Sequence, residues 1–373
     1  MSNNTTYNDQ LCTLYLLNSA TSEIVMTVAL GVLGIFSLAG NALVLAVLYR
    51  NREMRTITNL FIANMAVSDL IFPLVVIPKE IAFIHSDHFW LIKGDFGSFL
   101  CKLVHFLQDL STSISILSHV AISIERFYAV VFPLKARRSS VGWRTVAVVM
   151  TWVVAMGYNA PYFYSFRLVL ISKEERTFRC ILQWEPAFDD TNEAQKRFYM
   201  FSFVSHYAIP LVVITVLYSY ILYKIKARQV VGNDYANRSV RDNTQNKRIV
   251  RLAISIVLLF AISWAPLHIF LFIHIYKWNW SIPCGLENLA FSTFYLAWLS
   301  SFTNPLIYFI FSENYRNGLK NLFGGCFVIH PRIFPGISNV VGIETTESTF
   351  LEHRGARVLR HERNAATNEE TVT

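Results

Sequence analysis

The sequence has few charged residues for its length of 373 residues. Asp, Glu, Lys and Arg make up 16% of it, whereas hydrophobic residues make up 53%. Soluble proteins carry charge along every helix, so this shortage excludes an ordinary set of soluble domains. The charges gather in short clusters between long apolar stretches. Because roughly 20 apolar residues suffice to cross a bilayer, the pattern indicates an integral membrane protein.

Several segments lack Asp, Glu, Lys and Arg altogether, and each is long enough to span a membrane. They are 24–49, 145–166, 198–223, 252–276 and 288–312. Two further segments, about 57–84 and about 98–125, are apolar apart from a few charged residues such as Asp69 and Glu125. We interpret these two as spans that contain functional polar groups. The predicted fold is an all-α integral membrane protein, a seven-transmembrane helix bundle.

Residues 1–23 contain neither Lys nor Arg, which bears on orientation. Basic residues in short loops favour the cytoplasmic side, and here they follow the odd-numbered spans. They include Arg50, Arg52 and Arg55, then Lys135, Arg137, Arg138 and Arg144, and finally Lys224, Lys226, Arg228, Arg238, Arg241, Lys247 and Arg248. The outer loop 167–197 also holds basic residues, but it mixes them with acidic ones. We predict a multi-pass plasma-membrane protein with its N-terminus extracellular and its C-terminus cytoplasmic.

The segments outside the bundle have distinct compositions. No basic stretch followed by a cleavage site precedes the first span, so an uncleaved chain is expected. Asn3 and Asn4 each begin a glycosylation tripeptide. The predicted parts are a glycosylated extracellular N-terminus (1–22), the bundle (23–312), a short amphipathic eighth helix (313–326) and a disordered cytoplasmic tail (327–373).

The sequence lacks the marks of catalysis. No set of nucleophile, base and oxyanion donors and no cluster of metal ligands falls on one plausible face, so we expect no enzyme. The net charge is +8, and the basic residues cluster in the loops next to the spans. This position indicates contact with the lipid bilayer and no nucleic-acid partner. Seven spans alone also suit a transporter, a channel or a retinal protein, although no inverted repeat is visible.

Short motifs within the spans distinguish these classes. In chain order they are Gly40-Asn41 with Val44, Asn64 with Asp69-Leu70, Glu125-Arg126-Phe127, Trp152, Pro210 with Tyr218, Phe260 with Ser263-Trp264-Ala265-Pro266, and Asn304-Pro305-Leu306-Ile307-Tyr308. Over residues 24–323 this series resembles the rhodopsin-like G-protein-coupled receptors, and the neuropeptide receptors among them most. The resemblance implies an extracellular ligand, a heterotrimeric G protein, and receptor kinases and arrestin at the tail.

The resemblance also implies an activation switch. Glu125 and Arg126 would form an ion pair that holds the arginine until activation, while a snorkelling arginine at a helix end is the alternative. Prolines in the fifth, sixth and seventh spans each remove a hydrogen bond and predict hinges. The predicted switch comprises Glu125, Arg126, Tyr218, Phe260, Trp264, Pro266, Asn304, Pro305 and Tyr308, and the Phe260 core includes Ile116 and Pro210. His119 stands where the family commonly has leucine, either as a satisfied buried histidine or as a pH-sensitive element.

Asp69 lies within a span, where a carboxylate is costly and needs partners. The resemblance implies an internal sodium pocket formed by Asp69, Asn41, Ser115 and Ser301, with Na⁺ on Asp69 and Ser115. A protonated, hydrogen-bonded structural aspartate is the alternative. No other cofactor is expected.

The predicted topology places four of the five cysteines outside, and an even number there favours two disulfides. The resemblance pairs Cys101 with Cys180, which leaves Cys12 for Cys284. Cys326 follows the amphipathic stretch and is either palmitoylated or a free thiol.

The ligand prediction depends on the third span. Gln108, seven residues after Cys101, replaces the aspartate of amine receptors, although Asp109 is adjacent. Trp298 replaces the retinal-binding lysine. Residues 176–187 are strand-like and predict a hairpin lid. The predicted pocket contains Gln108, Glu80, Lys79, Asp109, Ser202, His206, Trp264, His268, Leu271, Phe294 and Trp298, any of which could instead be plain packing. An amine, lipid or orphan constitutively active receptor of the same fold is the leading alternative to a peptide receptor.

Overall fold

The computed structural model describes residues 19–54, 56–133, 141–172, 174, 176–231, 254–255, 257–283 and 285–323. The predicted sites at Asn3, Asn4, Cys12, Cys284 and Cys326, and the tail 327–373, lie outside the described residues.

Seven spans account for most of the described chain, as the sequence predicted. The first is Ser19–Arg50, followed by a 3₁₀ turn Arg52–Met54; the second joins Ile57–Asp69, Phe72–Val76 and Ile77–Ile84; the third is Gly94–Val131; the fourth is Val141–Asn159, continued by Tyr162–Ser165. The fifth joins Thr191–Phe203, Val204–Ala208 and Ile209–Val231; the sixth is Val257–Lys277; the seventh joins Glu287–Trp298 and Ser300–Phe311, which are bent by 41°.

The fifth span begins earlier than its uncharged run, which starts at residue 198. Asp190 caps the helix, because its Oδ1 accepts hydrogen bonds from the backbone N–H groups of Asn192 and Glu193 at 2.9 and 3.1 Å. The predicted outer loop 167–197 is therefore helical from Thr191 onward. An uncharged run therefore marks the part of a helix that lies in lipid, and the helix itself can extend beyond that part.

Polar side chains are buried between the spans, whereas large apolar side chains such as Ile35 and Val212 are exposed on the outside. Asn64 illustrates why this arrangement is stable. Its Oδ1 accepts from Trp152 Nε1 at 2.7 Å, and its Nδ2 donates to Ser118 and Thr151 at 2.9 and 3.1 Å. One fully bonded amide thereby joins the second, third and fourth spans in a medium that offers no water.

A β-hairpin covers one end of the bundle, opposite the end that holds Glu125 and Arg126. Strands β1 (Phe166–Ser172) and β2 (Thr177–Leu182) pair antiparallel, with Leu168 opposite Cys180. The Cys101–Cys180 disulfide ties β2 to the third span, and the backbone N–H of Trp90 donates to Phe178 O at 2.7 Å. The disulfide confirms one prediction, and the strand Thr177–Leu182 lies in the segment 176–187 predicted to form a hairpin, but its partner strand, Phe166–Ser172, precedes that segment.

Irregular turns do not coincide with every predicted proline hinge. A π-helical turn, Val204–Ala208, directly precedes Pro210, but the sixth span runs unbroken through Pro266. The seventh span bends at Leu299, six residues before Pro305. A further π-helical turn, Phe72–Val76, occurs in the second span, where no hinge was predicted.

The eighth helix runs from Glu313 to Leu322 and confirms the predicted amphipathic helix. Tyr315, Gly318 and Leu319 are buried against the first span. A Cβ atom at Gly318 would approach Val47 Cγ1 to 2.5 Å, so this glycine is what allows the close contact.

We expect Gly318→Ala to lower the melting temperature of the purified protein. Overpacking costs about 1–3 kcal/mol, more than the gain of about 0.5–1 kcal/mol from replacing a helical glycine. Gly157→Ala is the matched control, because an added Cβ there meets nothing within 4 Å. Equal melting temperatures of the two variants would show that the space between Gly318 and Val47 can accommodate an added Cβ.

Candidate functional site

Glu125, Arg126 and Thr58 form a closed polar cluster at one end of the third span. Arg126 donates to both carboxylate oxygens of Glu125, at 2.5 Å from Nε and 2.8 Å from Nη2. Its Nη2 also donates to Thr58 Oγ1, which in turn donates to Glu125 Oε2 at 3.0 Å. The predicted ion pair is confirmed. Sequence reasoning missed Thr58, for which only its place at the start of the second span was a signal.

Tyr218 and Tyr308 are both buried but do not hold Arg126. Tyr218 packs with Val130 and Ile214 in a cluster between the third and fifth spans. Tyr308 stacks on Tyr315 at 5.4 Å, and its hydroxyl has no hydrogen-bond partner within the described residues. The guanidinium is held by Glu125 and Thr58 instead.

A small cavity lies between the third, fifth and sixth spans. Ile116, Pro210, Phe260 and His119 line it. His119 is 7% exposed and its ring lies 6.1 Å from that of Phe260. Within the described part of the chain its imidazole nitrogens have no hydrogen-bond partner. The histidine is therefore buried beside the Phe260 ring, and its role stays a prediction.

Asp69 lies in a polar cluster halfway along the bundle. Its Oδ1 accepts from Ser115 Oγ at 2.7 Å and its Oδ2 from Asn304 Nδ2 at 3.3 Å. Asn41 and Ser301 are joined to each other, because Asn41 Nδ2 donates to Ser301 O at 2.9 Å. The structure thus brings Asp69 and Ser115 together and adds Asn304, which the sequence placed only in the switch.

Lys79 links the second and third spans near the hairpin. Its Nζ lies 2.8 Å from Gln108 Oε1 and 2.6 Å from Glu80 Oε1. Three of the predicted pocket residues are therefore in direct contact. Because Lys79 occupies the amide oxygen of Gln108, the amide nitrogen is the group left to donate to a ligand.

Asp109 is directed toward the fourth span. Its Oδ2 accepts a hydrogen bond from the hydroxyl of Tyr162, whose side chain is buried. Sequence reasoning placed Asp109 in the pocket without locating this partner. The carboxylate on which an amine ligand would depend is thus already paired within the protein.

A hydrogen-bonded chain connects the third, fourth and fifth spans through two predicted pocket residues. His206 lies 2.9 Å from Ser113 Oγ and 3.0 Å from Ser205 Oγ. Ser202 Oγ accepts from Tyr158 Oη at 2.8 Å. Both residues are therefore partnered inside the bundle.

The remaining predicted pocket residues fall in two places. His268 lies among rings of the fifth and sixth spans, 4.5 Å from Tyr207 and 6.1 Å from Trp264, and Leu271 is half-buried on the same span. Trp298 is 9% exposed and packs against Phe72 and Phe294 in a cluster that involves the first, second and seventh spans. Trp298 is thus mainly a packing residue in this arrangement.

Comparison with known proteins agrees with the fold and the motifs. The family model described as "7 transmembrane receptor (rhodopsin family)" matches residues 40–308. The chain belongs to this family.

Its relatives include receptors named for peptides. It is 30% identical over 298 residues to the QRFP-like peptide receptor of Branchiostoma floridae, covering 77% of this chain and 74% of that protein. Galanin receptor 2b of Danio rerio is 29% identical over 313 residues, with 83% and 77% covered. Neuropeptide FF receptor 2 of Mus musculus is 29% identical over 310 residues, with 78% and 70% covered.

We expect Thr58→Val to raise signalling in the absence of ligand. Valine keeps the volume but removes a hydroxyl that bonds both charges, and hydrogen bonds to charged groups contribute roughly 1.5–3 kcal/mol. Even half of that stabilisation would raise the active fraction about three- to tenfold. Basal G-protein activation in cells, normalised to surface expression, measures it. Thr215→Val is the matched control, because Thr215 is exposed and, among the described residues, its hydroxyl bonds only Leu211 O of its own helix. Equal basal G-protein activation in the two variants would contradict the role of the Thr58 hydroxyl in holding Arg126.

Proposed function

We propose that the chain is a plasma-membrane receptor in which an extracellular peptide shifts the helix bundle toward a state that activates a heterotrimeric G protein. The observation that carries the proposal is the closed Glu125–Arg126–Thr58 cluster in a chain of the rhodopsin family. A ligand can open such a cluster only if it binds the open state more tightly than the locked one. Receptors of this family are not enzymes as a class, and we assign no catalytic activity.

A peptide is favoured over an amine by the chemistry of the outer half. Asp109 is already paired with Tyr162, whereas Gln108 and Glu80 converge on Lys79. Amide and mixed charged groups suit the backbone amides and charged side chains of a peptide. The names of the relatives support the same ligand class.

The inner end supplies the proposed G-protein contact. Opening of the cluster would free Arg126 near Tyr218, and a G protein would enter a separate inner cavity that forms there between the third, fifth and sixth spans on activation. The eighth helix would lie along the inner leaflet, with Tyr315 and Leu319 against the bundle and its polar residues toward water. An extracellular N-terminus follows from the basic residues of the inner loops. Receptor kinases and arrestin acting on the tail complete the proposal.

The Asp69 cluster fits a sodium ion chemically. A carboxylate and a hydroxyl are hard oxygen donors, and Asp69 Oδ1 and Ser115 Oγ are 2.7 Å apart. These two residues would hold the ion, with Asn41, Ser301 and Asn304 around them. A bound cation would neutralise the buried carboxylate and favour the arrangement that supplies its oxygens.

If sodium binds there, replacing potassium by sodium at constant ionic strength should lower agonist affinity several-fold. The Asp69→Asn variant should lose this difference, because it removes the charge that holds the ion. Competition binding with a labelled agonist measures it. A sodium effect of the same size in Asp69→Asn would place the ion elsewhere.

The decisive experiment is G-protein activation in cells that express the chain, tested against a library of amidated neuropeptides. We expect a response that Gln108→Ala abolishes together with binding. Arg126→Ala should retain binding but lose activation, because that residue acts at the opposite end of the bundle. Surface labelling of each variant is the control.

Two other outcomes would redirect the assignment. A response to an amine that Asp109→Asn abolishes would favour the amine alternative. Silence toward every peptide, with the protein present at the surface, would reject the peptide ligand, and substrate uptake into vesicles without a G protein would reject the receptor class.

A further inference from the structure

A groove of about 710 Å³ lies between the outer ends of the fifth and sixth spans. Its rim is formed by Glu193, Lys196 and Arg197. Its floor is formed by Met200, Phe201 and Val204, and Tyr276 of the sixth span provides the opposite wall. No function described above uses these residues.

The groove crosses the boundary between the headgroup and hydrocarbon layers. Arg197 is the last charged residue before the uncharged run 198–223, and Tyr276 is the last residue of the run 252–276. The rim therefore lies at the level of the headgroups, while Met200 and Phe201, which are 39% and 58% exposed, face the acyl chains.

One positive charge is left over at the rim. Lys196 Nζ is 2.8 Å from Glu193 Oε1, so these two charges offset each other. Arg197 is exposed, and within the described ranges it has no hydrogen-bond or ionic partner. A guanidinium binds a carboxylate through two parallel hydrogen bonds, and this geometry matches a ligand with one carboxylate.

We propose that this groove binds the anion of a long-chain fatty acid, with its carboxylate on Arg197 and its chain along Met200, Phe201 and Val204. The single unpaired cation matches a single negative charge.

The occupant would also regulate the receptor, and this second part rests on the proposed function. Val204 begins the π-helical turn of the fifth span, and Tyr276 lies in that of the sixth, Ile273–Lys277. Such turns interrupt regular helix packing and occur often at functional sites. The groove is thus bounded on both sides by segments with irregular backbone hydrogen bonding.

Aromatic contacts lead from the groove to the switch. The ring centroids of Tyr276 and Phe272 are 5.9 Å apart, and those of Phe272 and Phe203 are 4.9 Å apart. The ring of Phe203 lies 5.1 Å from that of His268, and the His268 ring lies 6.1 Å from that of Trp264, measured between centroids. A chain that fills the groove therefore contacts a packed series of rings ending at Trp264, and agonist potency should change when it binds.

The binding test uses the full-length protein in phosphatidylcholine nanodiscs and a diazirine-labelled oleate. Photolabelling should fall on Met200, Phe201 or Tyr276, and unlabelled oleate should compete whereas oleyl alcohol should not. Arg197→Gln should weaken labelling about tenfold, since a charge-assisted hydrogen-bond pair is lost, and Arg197→Lys should lie between. Lys277→Gln is the matched control, because it removes an exposed positive charge next to the groove but outside its lining.

Each outcome decides one part of the proposal. Equal competition by oleyl alcohol, or unchanged labelling of Arg197→Gln, would overturn carboxylate recognition and leave ordinary lipid contact. Stronger competition by a lysophosphatidate would assign the groove to a phospholipid instead. This assay needs neither agonist nor G protein, so its result is independent of the proposed function.

The regulatory part has its own readout. Oleate should shift agonist potency at least threefold in the parent and not in Arg197→Gln. Specific labelling without any potency shift would overturn the regulation while the binding site stands.

Discussion

The structure depends on the free energy of an unpaired polar group in hydrocarbon. Because lipid offers no hydrogen bonds, backbone groups are satisfied within helices, and polar side chains in the bundle are stabilised by partners on neighbouring spans. Asn64, Asp69 and Asn159 are buried for this reason, and each bonds a neighbouring span. The same contacts that satisfy these groups fix how the helices lie against one another, so packing and polar bonding are a single constraint here.

The two ends of the bundle use this constraint differently. At one end, Arg126 is held by a carboxylate and a hydroxyl, and in the proposed function these contacts would break on activation. At the end near the hairpin, Lys79 holds Gln108 and Glu80 in place, which would lower the ordering cost of binding the proposed peptide. The proposed switch and the proposed ligand site are thus built from the same kind of charge-assisted hydrogen bond.

The spans, the Glu125–Arg126 pair, the Cys101–Cys180 bond and the eighth helix could be predicted because each depends on local pattern or on a motif. Partners that come from other spans could not. Tyr162 beside Asp109 carries no sequence signal for its role, and Thr58 carries only its place at the start of the second span, since these contacts arise from helix rotation and depth. Helix ends were also predicted poorly. The fifth span begins at Thr191, capped by Asp190, whereas its uncharged run starts only at residue 198.

The bend of the seventh span at Leu299 divides it into halves that are anchored by unlike means. The outer half is fixed by the shape of Trp298 against Phe72, and the inner half by a polar bond from Asn304 to Asp69. Substitutions tolerated before Leu299 should therefore be limited by side-chain volume, and those tolerated after it by hydrogen-bonding capacity. A single helix would then record two separate selection pressures, with Leu299 as the border between them.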